Sequence, residues 1–566
     1  MNKTDDKPKE KVDISSKSDK ELRSKFTPEF LQYLDNYEKA LKFEKRAKIT
    51  PIHVDELASK VAKFYEKIRR IVDWKEEHLV RRTAIERILK RALLTELAGI
   101  SLMAGLDADS MAEPLILEMI RSGYFSNDTV PKSHVETIKV VLAKYIFILK
   151  HSKQARVSNL NVKEKVNFYN WVMEIAACEI EEILDPPMKE SALLNFMTTA
   201  IFNREKIVPT NALNSEQALV QTYVAVHRAL FNLDSPIITY NLIKYRYPEW
   251  TKSDQKLVEW FTNNLGKVRD NINEDLDHPK KGLFFRLTEK YDAAYLIIGD
   301  VFKELAKEPD DLLENLSDEK KLGKALKKVY DARLVTLKGR LSRSAIYSTL
   351  SIFVSGIASF IIFEGPLATL VGQHFSWFTL FIDLAVPSAL MFILVAIIRL
   401  PTKANYSKLK EEVNKVVYKN EDKDSYELYV DKKSNIILNT LFTILSLFAG
   451  SIAAYGIFFI FKIAKVPWTS VYIDVINVAM VMAAAMIIRR RSREVTIQER
   501  GSFWDFLVEL FSIPIAKVGQ WFSDKWREYN FISVFFTALV DTPFSVLIGF
   551  IEEWRSFVKE RSSELH

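Results

Sequence analysis

A single cysteine, Cys178, stands among 566 residues, so no disulfide can form within the chain. Glycine is sparse at 16 residues, and 18 prolines fall mostly at segment boundaries, which leaves few sites for tight turns. Long stretches rich in Leu, Ala, Glu, Lys and Arg then point to helices rather than to sheets. Phosphate-cradling glycine loops are missing as well, because neither GxxxxGK[ST] nor GxGxxG occurs. Neither HExxH nor a pair of CxxC motifs is present, which removes the usual zinc frameworks. On these absences no catalytic, cofactor-binding or metal-ligating residue is assigned, no cofactor is expected, and the reading leans away from an enzyme. Cys178 lies in the apolar run Trp171–Ile183 and reads as a small buried core residue. The N-terminus lacks the apolar core of a signal peptide; residues 1–18 read as a disordered tail.

What is present is unevenly spread. The mean hydropathy of -0.04 conceals a charged, alternating half up to residue 340 and four nearly uncharged stretches within 345–488. These are 345–363, 378–398 (interrupted by Asp383), 436–461 and 469–488 (interrupted by Asp474). Each meets or nearly meets the roughly twenty apolar residues that a helix needs to cross hydrocarbon. The loops between them give a direction. Segment 364–376 holds no Lys or Arg and the short turn near Ala464–Pro467 holds Lys465, whereas 399–435 holds nine. Positive loops stay cytoplasmic, which predicts a multi-pass integral membrane protein (in the cell membrane if the source is prokaryotic) with residues 19–343, the connector 400–435 and the segment after Arg493 on that side. The net charge of +7 follows from these flanks without any nucleic-acid partner.

The two hairpins resemble each other. A shift of 91 residues, without gaps, lays 345–399 on 436–490 with thirteen identities, among them Gly365, Trp377, Ile382, Asp383 and Arg399. WFTLFID (377–383) meets WTSVYID (468–474), so Trp377 and Trp468 are expected as interface anchors. The predicted fold is all-α: a soluble helical bundle, then a four-helix transmembrane domain of two parallel-repeated hairpins, then C-terminal amphipathic or interfacial helices over 491–566. A fifth span over 531–551 is the competing reading of that last segment.

Asp383 and Asp474 are the sharpest chemical feature. Each lies six residues after its tryptophan, about 9 Å deeper at 1.5 Å per residue. Carboxylates in hydrocarbon face a bundle interior or an aqueous cavity. The leading reading is structural, through interhelical hydrogen bonds or pairing with Lys462, Lys465 or His374; a proton or cation path through the pair is the competing one.

In the soluble half, helices are predicted over 109–123, 132–151, 162–184, 188–203, 214–231, 235–246, 253–275 and 283–306, and a last one from about Ser317 into the first span. Glu274 with His278 reads as a solvated helix end, and His227 as a core histidine. The run Glu174, Glu179, Glu181, Glu182 and Asp185 reads as a solvated face. Basic residues over 67–91 interleave with acids and read as a salt-bridged helix face. Aromatics of 240–250 belong to a core, with any exposed subset a docking surface. The leading expectation is a membrane-anchored interaction or scaffolding protein whose partners are the bilayer, a protein bound by the helical domain, and further copies of itself. The alternative is a small transporter, channel or ion-coupled device using Asp383 and Asp474.

Overall fold

The computed structural model describes residues 21–45, 50–54, 60, 77–98, 107–151, 162–209, 212–252, 254–306, 312–372, 377–398, 400–419, 425–429, 436–463, 465–466, 468–497 and 509–521. The tail 1–18, His374 and the segment 531–551 lie outside them. The chain is helical and divides into two compact units.

One unit comprises Glu29–Thr288, Ser425–Leu428 and 533–566. Its described helices are α1 (Pro28–Lys45), α2 (Glu77–Ala98), α3 (Ala108–Arg121), α4 (Ser133–His151), α5 (Val162–Leu184), α6 (Met188–Phe202), α7 (Ser215–Leu230), α8 (Ser235–Arg246) and α9 (Gln255–Leu276), with the start of α10 (Lys281–Leu305). Local chemistry sets their ends. Asp107 caps α3 by accepting from the Ser110 amide at 3.0 Å. Asn214 and Gln217 form a reciprocal capping box at α7, and Asp234 before Ser235-Pro236 starts α8. One apolar core runs from Ile52 to Leu276 and includes Ile116, Ile180, Leu242 and Leu265.

The acidic run on α5 is not a solvated face. Glu179 is buried, with Lys144 Nζ 2.6 Å away and the Tyr145 hydroxyl donating to it at 2.6 Å. Glu181 meets Arg81, and Glu182 meets Lys244 at 2.7 Å. The period of the helix turns these acids toward neighbouring helices whose cations are remote in sequence. The basic residues of α2 are salt-bridged as expected: Arg82 and Lys90 both hold Glu86 from one turn away, and Arg82 also reaches Asp234 at 2.7 Å. His227 is a core residue whose Nδ1 donates to the Tyr223 carbonyl at 2.8 Å; burial pushes its pKa down to about 4. Burial likewise pushes the Cys178 thiol up, away from the thiolate that reactivity needs.

The helical framework carries one small sheet. β1 (Glu205–Val208) pairs with β2 (Tyr426–Tyr429), a strand from the connector. Burial pushes the Glu205 carboxyl up to about 7, with the Thr222 hydroxyl donating to it at 2.8 Å as the opposing influence. A carboxyl raised on folding contributes stability below pH 4.5 and loses it as pH rises through 7. Glu205→Gln will therefore raise the thermal midpoint of the full chain in detergent at pH 8, by the equivalent of about 3 kcal/mol at most, and leave it unchanged at pH 4. Equal shifts at both pH values would refute a buried carboxylate at this strand.

The other unit comprises residues up to Pro28, Glu289–Asp424 and Tyr429–Ile532. Beyond the end of α10 and the short α11 (Leu312–Ser317), Asp318 caps α12 (Glu319–Ser359). This helix winds into a π-turn (Phe360–Glu364) and resumes as α13 (Gly365–Leu370). Then come α14 (Trp377–Ala396), α15 (Lys403–Val417), α16 (Ile436–Ile463), α17 (Trp468–Arg491) and a final helix, α18, over 509–521. Asn405 locks α15 in place: its amide donates to the Tyr330 hydroxyl at 3.0 Å and the Val495 carbonyl at 2.7 Å, while its oxygen accepts from the Ile497 amide. Residues 25–27 hydrogen-bond along 416–419, with Phe26 stacked on Tyr418.

Among the described residues two helices are long and apolar enough to cross a membrane, Glu319–Leu367 and Thr440–Ile463; Leu380–Ala396 is a shorter apolar helix. They are not core helices. None of the apolar window of the first is buried, and 17% of that of the second. Leu350, Val354, Ile361, Phe442, Leu447 and Phe448 stand exposed along them, a surface that water disfavours and lipid tails accept.

α18 lies antiparallel along α17. Glu509 pairs with Arg489 and Arg493, Ser512 Oγ lies 3.8 Å from Met486 Sδ, and Gly519 abuts the Ala479 carbonyl. Its buried face is small (Ser512, Ala516, Gly519), while Val518 and Trp521 point outward. Only small side chains let two helices approach this closely.

Candidate functional site

Asp383 and Asp474 come together. Each sits on the second turn of its helix: α14 begins at Trp377 and α17 at Trp468. Trp377 is 89% exposed; nothing is described of the Trp468 side chain. Asp383 is 5% exposed and Asp474 2%. Asp383 Oδ1 and Asp474 Oδ2 are fully enclosed and have no hydrogen-bond partner among the described residues. Apolar packing closes in on both sides. Phe461, Val471 and Val478 with Ile382 and Val386 form one cluster, and Met391, Val395, Val481 and Ala485 another. Gly356 of α12 lets α14 come close, since a Cβ there would stand 2.9 Å from Leu384 Cδ2.

A third carboxylate joins them that the sequence reading treated only as the boundary of the first span. Glu364 is 2% exposed, and one oxygen from each of Glu364, Asp383 and Asp474 lies within 4.8 Å of the others. Ser359 Oγ donates to Glu364 Oε1 at 2.8 Å and holds the side chain. The π-turn is what aims it. An α-helix that takes one extra residue into a turn rotates everything after it, and such turns recur at functional sites. Under the 91-residue offset Glu364 falls on Tyr455, which sits in the uninterrupted α16 and is 66% exposed. The signal available in sequence was an acid closing an uncharged run immediately before Gly365-Pro366.

Of the three proposed cationic partners, His374 lies outside the described residues and the two lysines stay out of the site. Lys462 and Lys465 are exposed, and neither forms an ion pair with the aspartates. Pro387 does not break α14, which continues through it. Elsewhere, Glu274 is exposed at the end of α9, and His278 accepts a hydrogen bond from the Lys280 amide. Of the aromatics over 240–250, Tyr240 and Trp250 are core residues and Tyr245 is exposed. A solvent-open hollow of about 470 Å³ is lined by Asp300, Arg333, Arg340 and Glu494, which form ion pairs with one another.

No family model matches the chain, and no curated protein or solved structure is similar to it.

Proposed function

We propose that the chain is a multi-pass membrane protein that passes a cation or proton through the Asp383–Asp474 site. The observation that carries this reading is the meeting of two aspartates, from equivalent positions of the two hairpins, inside apolar helices. Hydrocarbon-depth carboxylates are costly, and evolution keeps them where an ion or proton uses them. In this reading the four spans are 345–363, 378–398, 436–461 and 469–488, related as two hairpins about an axis along the membrane normal. The positive connector places the helical N-terminal domain on the cytoplasmic side, where it anchors or regulates the membrane part through a protein partner. The exposed apolar faces of α12 and α16 then meet lipid or a second copy.

The test is flux. In liposomes holding the purified full chain, a gradient of protons, Na⁺, K⁺, Ca²⁺ or Mg²⁺ will dissipate faster than in empty vesicles. Asp383→Asn and Asp474→Asn will each reduce the rate at least tenfold while eluting as the wild type does from a sizing column. A wild-type chain that moves none of these ions would return the protein to a purely anchoring role.

A further inference from the structure

Resting on that reading, we infer that Glu364, Asp383 and Asp474 form a binding site for one hard divalent cation. All three donors are carboxylates, and no His or Cys lies within the group. An all-oxygen set of this kind suits Ca²⁺, Mn²⁺ or Mg²⁺ and disfavours the softer zinc and copper. Spacing agrees with it. Two oxygens bound to one Ca²⁺ at 2.3–2.6 Å stand at most about 5 Å apart, and the three here lie within 4.8 Å of one another, a span that small side-chain rotations bring to coordination distance.

Charge balance favours two positive charges over one. Three carboxylates with a dication need a single proton to become neutral, whereas with Na⁺ or K⁺ they need two. In apolar surroundings the arrangement with least net charge is the stable one. A simple acidic cluster on a surface would be solvated by water. Here all three residues are more than nine-tenths buried; the two aspartate side chains hydrogen-bond each other, and Asp383 Oδ1 and Asp474 Oδ2 stay enclosed without a hydrogen-bond partner among the described residues. The third ligand also has a dedicated structural device. Glu364 closes the π-turn of Phe360–Glu364, where Ser359 holds its carboxylate, whereas Tyr455, its counterpart under the 91-residue offset, is exposed on the uninterrupted α16. A pair of aspartates alone could share a proton. The third carboxylate, supplied by only one of the two hairpins, makes a metal-binding set.

Manganese binding to the full chain in detergent, followed by the loss of the free Mn²⁺ paramagnetic signal, tests this. One saturable Mn²⁺ per chain is expected, displaced by Ca²⁺ or Mg²⁺. Glu364→Gln, Asp383→Asn and Asp474→Asn will each weaken it at least tenfold, and Glu364→Asp will weaken it less than Glu364→Gln. Glu314→Gln, a change at a carboxylate remote from the site, will leave it unaltered. Each variant is first matched to the wild type in metal-free thermal unfolding, so that loss of binding is not loss of fold. Absence of saturable Mn²⁺ binding to the wild type overturns the inference, as does binding unchanged in Glu364→Gln. Proton flux without divalent binding overturns this inference and leaves the proposed function standing. Binding without any flux does the reverse, and makes the site a structural one.

Discussion

Lys144→Met will destabilise the N-terminal helical unit by about 3–5 kcal/mol, the largest single-site loss expected in this protein. Lys144 and Glu179 are 1% and 3% exposed at their side chains, and the ammonium lies 2.6 and 2.8 Å from the two carboxylate oxygens. It also donates to the Trp250 carbonyl at 3.1 Å and sits 4.3 Å from the centre of the Trp250 ring. Three groups (a carboxylate, a carbonyl and an indole face) therefore converge on one nitrogen. Burial pulls the Lys144 pKa down and the carboxylate beside it pulls it back up. Removing the cation leaves Glu179 with only the Tyr145 hydroxyl in a site closed to water. The double change Lys144→Met with Glu179→Leu will recover most of the loss, because an apolar pair needs no desolvation of charge. Urea unfolding of the wild type and the two variants measures it. A single-variant loss under about 1 kcal/mol would mean that water reaches the pair after all.

Gly519→Leu will detach α18 from α16 and α17. A Cβ at this position falls on the Ala479 carbonyl, and the atoms it meets are backbone, which cannot swing aside as the end of a side chain can. Overpacking against side chains costs about 1–3 kcal/mol. Against backbone the cheaper course is for the short helix to leave. A second close approach goes with it, since a Cβ on Gly450 would meet Pro514 Cβ at 2.7 Å. The measurement is cross-linking by a short bismaleimide between Ser512→Cys and Met486→Cys, positions whose side chains now touch. The native Cys178 is buried and will contribute little background. Cross-linking should be efficient in the parent and fall at least fivefold with Gly519→Leu. An undiminished yield would show that α18 has room to shift along α17 without separating.

Much of the helical framework was legible because helix ends are local events. Segments 162–184 and 235–246 have the same bounds in sequence and structure, and others differ by one to three residues. Asp234 before Ser235-Pro236 and the Asn214–Gln217 box are complete signals within a few residues. The pairing of β1 with β2 had no such signal. Its partners are four residues long and more than 200 residues apart, and nothing in either segment names the other. The connector helix α15 was likewise hidden among charges whose apolar face only Asn405 and its partners reveal.

The candidate site divides in the same way. Sequence by itself determined that two aspartates lie at one depth of apolar helices, each six residues past a tryptophan, because composition and the rise of a helix suffice for that. It also determined where positive charge borders those helices. Only the tertiary structure decided that the two carboxylates face one another and that Glu364 makes a third. Direction around a helix axis depends on packing against neighbours and, at Glu364, on a π-turn that no residue count announces. The same holds for Glu179, which reads as solvated until α4 brings Lys144 to it. Depth is a property of one segment, whereas facing is a property of several.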